Sequence, residues 1–182
     1  MNRYLGLVLG LVLCAFTAYA VEDVASAVEG TVKKVDAAGK TIVVKTADGT
    51  EHTFHLVGRT AVHGAEVTAK GTKETFHGLK EGSVVVVHYT AKGTEETAEE
   101  IDHVGKGGLK VAQGTVKGID RGAKTIIVTT ADGAEETFRL TGRAARDVGK
   151  GIGEGAEKSA KVTVYYTEEA GHKVAHFFKK AF

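Results

Sequence analysis

Histidine is the reactive residue type that is enriched in one part of this chain. Six of the eight histidines lie between positions 52 and 103. Imidazole nitrogen is a common ligand of Zn²⁺ and related ions, and a site places two to four such groups around one ion. Metal binding is therefore the chemistry that this composition favours. The six are His52, His55, His63, His77, His88 and His103, and the two later ones are His172 and His176.

The spacing of these histidines limits which of them could share an ion. His52 and His55 lie three positions apart in a segment of strand character, so their side chains are expected on opposite faces. His172 and His176 would share a face of a strand but lie about 13 Å apart at the usual rise per residue. Neither pair can chelate an ion by itself, so a metal site would have to combine separate strands.

An internal repeat tests whether the fold itself requires these histidines. Residues 30–59 align without a gap on residues 114–143, and 19 of the 30 positions are identical. The second copy replaces three of the histidines by other types: His52 by Glu136, His55 by Arg139 and His88 by Tyr165.

Most of these histidines are expected to be solvated residues on sheet faces and loops. The alternative is a metal site of the first copy, in which several of them converge from separate strands. His103 and His176 look equivalent, each near the end of the last strand of its copy. The candidate metal ligands are His52, His88, His103 and His176.

Other reactive patterns fail because of their context. Residues 118–125 approach a phosphate-binding loop, but Ala123 occupies a position that requires glycine, and a strand follows instead of a helix. Four glutamates between positions 95 and 100 are expected to guard a solvated strand edge. No catalytic residue and no cofactor is predicted, so the chain is not expected to be an enzyme.

Exposed aromatic rings could stack on sugars or on single-stranded nucleic acid. Tyr165 is the best candidate for such a ring, because its neighbours in the run 162–166 alternate in polarity. Phe177, Phe178 and Phe182 are expected to cover a barrel end or the sister domain.

Short strands are the elements that would position these residues. Residues 41–46 and 51–56 are rich in β-branched and aromatic types, and Asp48-Gly49 between them is a hairpin signal typical of a type I′ turn. A strand near 30–35 precedes them, and two strands follow a longer connection. Alternation in the second copy makes Val85, Val87 and Tyr89 the expected inward set.

Three strands, a connection and two strands follow the order of the OB-fold, a small five-stranded barrel. The predicted fold class is all-β, with two tandem OB-like or SH3-like barrels at residues 27–105 and 111–180. An open antiparallel sandwich is the remaining alternative.

Residues 1–20 have the features of a secretory signal. Arg3 precedes an apolar run, and Ala18-Tyr19-Ala20 forms a small-x-small cleavage pattern. The run is shorter than the roughly 20 residues of a membrane span, so the processed chain is expected to be periplasmic or secreted and not membrane-spanning. Without this segment the chain has 23 basic and 23 acidic residues and no Cys or Met. Nucleic acid is therefore an unfavoured partner, and thiolate metal sites are excluded.

The first copy contains a series of short motifs at its turns and core positions: Gly-x-Val-x-x-Val-Asp, Lys-Thr-Ile-x-Val, Asp-Gly, Phe-x-Leu and Leu-Lys-x-Gly. This series of motifs resembles exported bacterial OB-like domains of unknown function. The resemblance implies the fold and export, and it carries no site residue. The sequence predicts a non-enzymatic binding or scaffold module of the cell envelope, with an envelope protein, a glycan or a metal ion as possible ligand. The alternative is an envelope metal-binding protein that uses histidines of the first copy.

Overall fold

The chain forms two closed five-stranded β-barrels in a computed structural model that describes residues 24–64, 78–142, 144 and 158–180. The first barrel consists of β1 (Val24–Asp36), β2 (Thr41–Lys45), β3 (Glu51–His63), β4 (Val84–Lys92) and β5 (Glu95–His103). The second consists of β6 (Lys110–Asp120), β7 (Thr125–Thr130), β8 (Glu135–Leu140), β9 (Lys161–Glu169) and β10 (His172–Lys180). The predicted signal segment lies outside the described residues.

Both barrels have the strand order of an OB-fold. The first closes in the order β1-β2-β3-β5-β4, with β3 parallel to β5 and β1 antiparallel to β4. The second repeats this order, and its β8 pairs in parallel with β10. The all-β, OB-like prediction is therefore confirmed, while the SH3-like barrel and the open sandwich are not formed. That residues 27–105 and 111–180 each fold as an independent domain stays a prediction.

Each barrel encloses its own apolar core. Val85 and Val87 of β4 are fully buried in the first core, and Tyr89 packs against it, as the alternation of the sequence predicts. Val162, Val164 and Tyr166 of β9 occupy the corresponding places in the second core. The cores fix which face of each strand points outward, and the outward faces carry the candidate ligands.

The hairpin turn at Asp48-Gly49 differs in type from the prediction. Gly49 has a φ of 92°, whereas Asp48 has no positive φ, so a type I′ turn is not formed. The Gly49 amide bonds the carbonyl of Thr46 at 3.0 Å, and the Thr46 amide bonds the carbonyl of Thr50 at 2.9 Å. This is a three-residue loop, in which a type I turn ends in a left-handed glycine. The Thr46 hydroxyl and the Thr50 amide both donate hydrogen bonds to the Asp48 carboxylate. These two hydrogen bonds lower the pKa of Asp48.

A third apolar cluster joins the two barrels. Val86 points outward from the first barrel yet is fully buried, because Leu109, Tyr165 and Phe177 cover it. The expectation that Tyr165 is an exposed ring is wrong: only 6% of its surface is exposed, since the facing barrel seals it. Phe177 covers the sister barrel, as expected. Phe178 instead lies in the core of its own barrel, and Phe182 lies outside the described residues.

Candidate metal centre where the barrels meet

A histidine and two carboxylates converge on the outer face of the first barrel. One ligand atom each from His63, Glu100 and Asp102 lies within 4.8 Å of the other two. The His63 Nε2 atom is 3.7 Å from the nearer carboxylate oxygen of Glu100. Ligand atoms around a tetrahedral Zn²⁺ are about 3.4 Å apart, given metal–ligand distances of about 2.1 Å. Small side-chain rotations would therefore bring all three atoms into contact with one ion.

The pairing of β3 with β5 explains why these residues meet. In this parallel pair His63 stands opposite Asp102, and the preceding residue Val62 stands opposite Ile101. Val62 and Ile101 pack in the core, so their neighbours point outward. The last residues of β3 thus bring an imidazole beside the carboxylates of β5.

A β-bulge in β5 directs Glu100 to the same face. Tyr89 pairs with Ala98 and His88 with Glu100, so Glu99 is the extra residue between two regular pairs. Ala98 and Ile101 are both fully buried in the core, which leaves the two glutamates between them pointing outward. Without the bulge, strict alternation from the buried Ala98 would turn both Glu100 and Asp102 towards the core.

Close backbone contact fixes the end of β3 that carries His63. Gly64 follows it with a φ of 71°, and a Cβ atom there would stand 2.5 Å from the Cα of Gly108. Gly108 lies in the connection between the barrels, and a Cβ at this residue would stand 2.0 Å from the carbonyl oxygen of His103. Only glycine allows this approach at either position, so the connection holds the imidazole-bearing strand end in place.

His88 lies beside the centre and is almost completely buried. Its Nε2 atom is 3.9 Å from Oδ2 of Asp102. The side chain of His88 is 6% exposed and that of Asp102 is 3% exposed. The ring of His88 meets the ring of Phe177 edge-on at 6.5 Å. His88 therefore lies beside the Asp102 carboxylate at the barrel interface.

His176 of the second barrel faces the same region. Its Nε2 atom is 3.0 Å from the hydroxyl of Thr167, and that hydroxyl is 2.9 Å from the carboxylate of Glu169. Burial lowers the pKa of His176, while Glu100 and Glu169 oppose this effect and His63 adds to it. Phe177, the next residue on β10, meets the ring of His88, so His176 lies beside the contact between the barrels.

His52 lies at an end of the first barrel and does not belong to this cluster. Its Nδ1 atom is 2.9 Å from a carboxylate oxygen of Glu96, and its ring stacks on Phe54 with centroids 5.6 Å apart. The ring thus closes the core and holds one carboxylate, and it does not join the other candidates.

His103 is also separate from the metal centre. It lines a depression with Lys80 and Ser83, and burial together with the charge of Lys80 lowers the pKa of its imidazole. Its expected equivalence to His176 is wrong, because the matched pairs Tyr89–Ala98 and Tyr166–Ala175 align His176 with Glu99. The shift of 77 residues that matches Tyr89 with Tyr166 also matches Ala98 with Ala175, so the sequence already contained this alignment.

None of the four histidines chosen from the sequence belongs to the cluster of His63, Glu100 and Asp102. His88 lies beside Asp102, and the role of all four as metal ligands stays a prediction. The cluster of His63, Glu100 and Asp102 was not predicted, because the glutamates were assigned to a solvated edge, and a closed barrel has no such edge. Glu96 instead pairs with His52, and Glu99 bonds Arg59 at 3.0 Å. The signal that could have found the centre is Glu100-x-Asp102 around the core residue Ile101.

Comparison with known proteins gives a likeness in fold for one barrel's length of chain. A structure titled Ag(I)CusF matches with 16% identity and a TM-score of 0.32, over 43% of this chain and 96% of that one. Residues 6–88 of apo-CusF from Escherichia coli match with 16% identity and a TM-score of 0.34, over 48% and 95% of the two chains. No protein-family model and no curated protein matches the chain. Among the described residues, no helix is long and apolar enough to cross a membrane.

Proposed function

We propose that this protein is an exported, non-enzymatic metal-binding protein whose ion is held by the outer face of the first barrel. The observation that carries the proposal is the convergence of His63, Glu100 and Asp102 within 4.8 Å. Two carboxylates offset the charge of a divalent cation, and the imidazole adds a neutral nitrogen ligand. Asp102 is 2% exposed, and His88 stands beside it as a supporting group.

The ligand set points to a borderline divalent ion. Imidazole suits Zn²⁺, Cu²⁺ and Ni²⁺, whereas Mg²⁺ and Ca²⁺ are held by oxygen alone. Soft ions such as Ag⁺, which is named with CusF, prefer sulfur ligands. Residues 21–182 contain neither Cys nor Met. We therefore expect affinity to rise from Mn²⁺ to Cu²⁺ and then fall at Zn²⁺, with little binding of Mg²⁺ or Ag⁺.

Export and the lack of enzymatic activity belong to the same proposal. Residues 1–20 have the composition of a secretory signal. Within residues 24–64, 78–142 and 158–180, no nucleophile, general base and charge-stabilising group are combined in the way that a hydrolytic site needs. Ion binding itself is therefore the proposed activity. The ion would serve transport, buffering or delivery in the envelope.

Titration calorimetry with Zn²⁺, Cu²⁺ and Ni²⁺ tests the proposal. We expect one site per chain, and Asp102→Asn should weaken binding about 100-fold because it removes a charged ligand at nearly constant volume. His55→Gln is the matched control, since His55 is exposed on the same strand as His63 and outside the cluster. A wild-type chain that binds none of the three ions, or an Asp102→Asn chain that binds them equally well, would refute the proposal.

A further inference from the structure

We propose that the second barrel completes this centre with the imidazole of His176, so that the ion bridges the two barrels. The inference rests on the proposed metal-binding function and adds a ligand from a different part of the chain. His63, Glu100 and Asp102 supply three ligand atoms, and a tetrahedral ion needs a fourth.

The local geometry of β10 directs His176 to its outer face. Ala175 is fully buried and Phe178 is 3% exposed, and both belong to the core of the second barrel. Two residues, His176 and Phe177, lie between these inward side chains. The pairing with β9 skips His176, which makes it the extra residue of a bulge. A bulge places consecutive side chains on the same side of the sheet, so His176 and Phe177 both point outward.

That outer face is the one that packs against the first barrel. The ring of Phe177 lies 6.5 Å from the ring of His88, and Nζ of Lys179 bonds the carboxylate of Glu29 on β1 at 2.8 Å. His176 shares this face with both residues. Its side chain is therefore directed towards the barrel that carries the three other ligands.

The order of the contacts along β10 shows which strand His176 faces. Lys179 contacts Glu29 on β1, and Phe177 contacts His88 on β4. In the closed barrel β5 is the next strand after β4. His176, which lies beyond Phe177, is therefore directed towards β5, the strand that carries Glu100 and Asp102.

A hydrogen-bonded chain leaves one ring nitrogen of His176 available to an ion. The Thr167 hydroxyl donates to Glu169 at 2.9 Å, because that carboxylate can only accept. The same hydroxyl oxygen must then accept from Nε2–H of His176 at 3.0 Å. Nδ1 keeps its lone pair as a result. Carboxylate or hydroxyl partners on the second nitrogen are the usual support of a metal-bound imidazole.

A second imidazole would set the metal preference of the centre. Two nitrogen and two carboxylate ligands favour Cu²⁺ and Zn²⁺ more strongly over Mn²⁺ and Mg²⁺ than one nitrogen does. Because the ligands come from both barrels, ion binding would also hold the barrels together.

Electron paramagnetic resonance of the Cu²⁺-loaded full chain counts the bound nitrogens. We expect hyperfine coupling to two nitrogens in the wild type and to one in His176→Gln, with affinity reduced about 10- to 100-fold. His172→Gln is the matched control, since this exposed histidine lies four residues away on the same strand. His176→Asn serves as a second variant if the glutamine does not fit.

The outcomes separate the two proposals. Loss of one nitrogen in the His176 variants but not in His172→Gln supports the bridging ligand. Two nitrogens that persist in the His176 variants, or a second nitrogen that disappears only in His88→Gln, overturn it and leave metal binding intact. A wild-type chain that binds no Cu²⁺ refutes the proposed function as well.

Discussion

The outer faces of the two barrels differ where their cores agree. Matched strand pairs align Glu100 with Phe177 and Asp102 with Lys179. The repeat likewise aligns His88 with Tyr165. The first barrel therefore carries His88, Glu100 and Asp102 where the second carries Tyr165, Phe177 and Lys179. The inward residues preserve an OB barrel in both copies, while the outward positions of the same strands carry polar groups in one barrel and an apolar seal in the other.

The two barrels also differ in a pair of polar side chains at one barrel end. His52 lies beside Glu96 in the first barrel, and the matching pair in the second is Glu136 with Lys173. The acidic residue has moved from β5 to the strand that corresponds to β3. Phe54 and Phe138 lie beneath the two pairs. An imidazole and a carboxylate in the first barrel thus correspond to a carboxylate and a lysine in the second, with the acidic residue on the opposite strand.

The largest effect is expected when the apolar seal is broken. Phe177→Ala should lower the free energy of unfolding by about 3 kcal/mol, because it opens a cavity between the barrels and exposes Val86. Urea unfolding followed by circular dichroism measures this change. Val111→Ala is the control: Val111 is 46% exposed, so its loss should cost less than about 0.5 kcal/mol. A Phe177→Ala effect as small as that of the control would show that the barrels do not stabilise each other.

An intermediate effect is expected from exchanging the charge pair. Glu96→Lys places a cation beside His52 and should cost about 1 kcal/mol of stability, since both side chains are 21% exposed. Adding His52→Glu recreates the pair of the second barrel and should recover most of that loss. A double-mutant cycle gives the coupling energy. A double variant less stable than both single variants would contradict the equivalence of the two barrel ends.

The smallest effect at neutral pH is expected from Tyr165→Phe. Burial, with a contribution from Glu29, raises the pKa of Tyr165 to about 12, above its unfolded value of about 10. The folded state therefore retains a proton that the unfolded state releases, and stability falls as the pH rises from 10 through 12. Tyr165→Phe should remove this part of the loss and change little at pH 8. Unfolding curves at pH 8, 10 and 11.5 test it, and identical slopes in both chains would contradict a sealed Tyr165.

Much of the fold could be predicted because its signals are local. The repeat at 30–59, the Asp-Gly turns and the alternation around Val162 and Val164 gave the strands, their order and the inward set. The turn type was wrong because Asp48 keeps a negative φ and Gly49 alone takes the left-handed conformation. That choice depends on the register of the strands on both sides of the turn, which a dipeptide does not encode.

The site was harder to predict because it depends on bulges and on contacts between barrels. An extra residue at Glu99 and another at His176 change which side chains face outward after each of them. Alternation alone therefore misplaces Glu100 and Phe177. His103 was matched to His176 by its apparent position, yet the strand pairs align it with Lys180. His88 and His176 lie beside the contact between the barrels, but nothing in their spacing joins residues of two barrels.

The sequence by itself determined two small barrels with valine, isoleucine and phenylalanine inside, since side chains in a strand alternate every two residues and turns follow glycine and aspartate. Only the tertiary structure decided that the strand end carrying His63 lies beside Glu100 and Asp102, and that the second barrel covers Val86 and His88. These contacts arise from parallel pairing, strand bulges and the meeting of two surfaces. Such features join residues far apart in the chain, where no local pattern records which neighbour a side chain will meet.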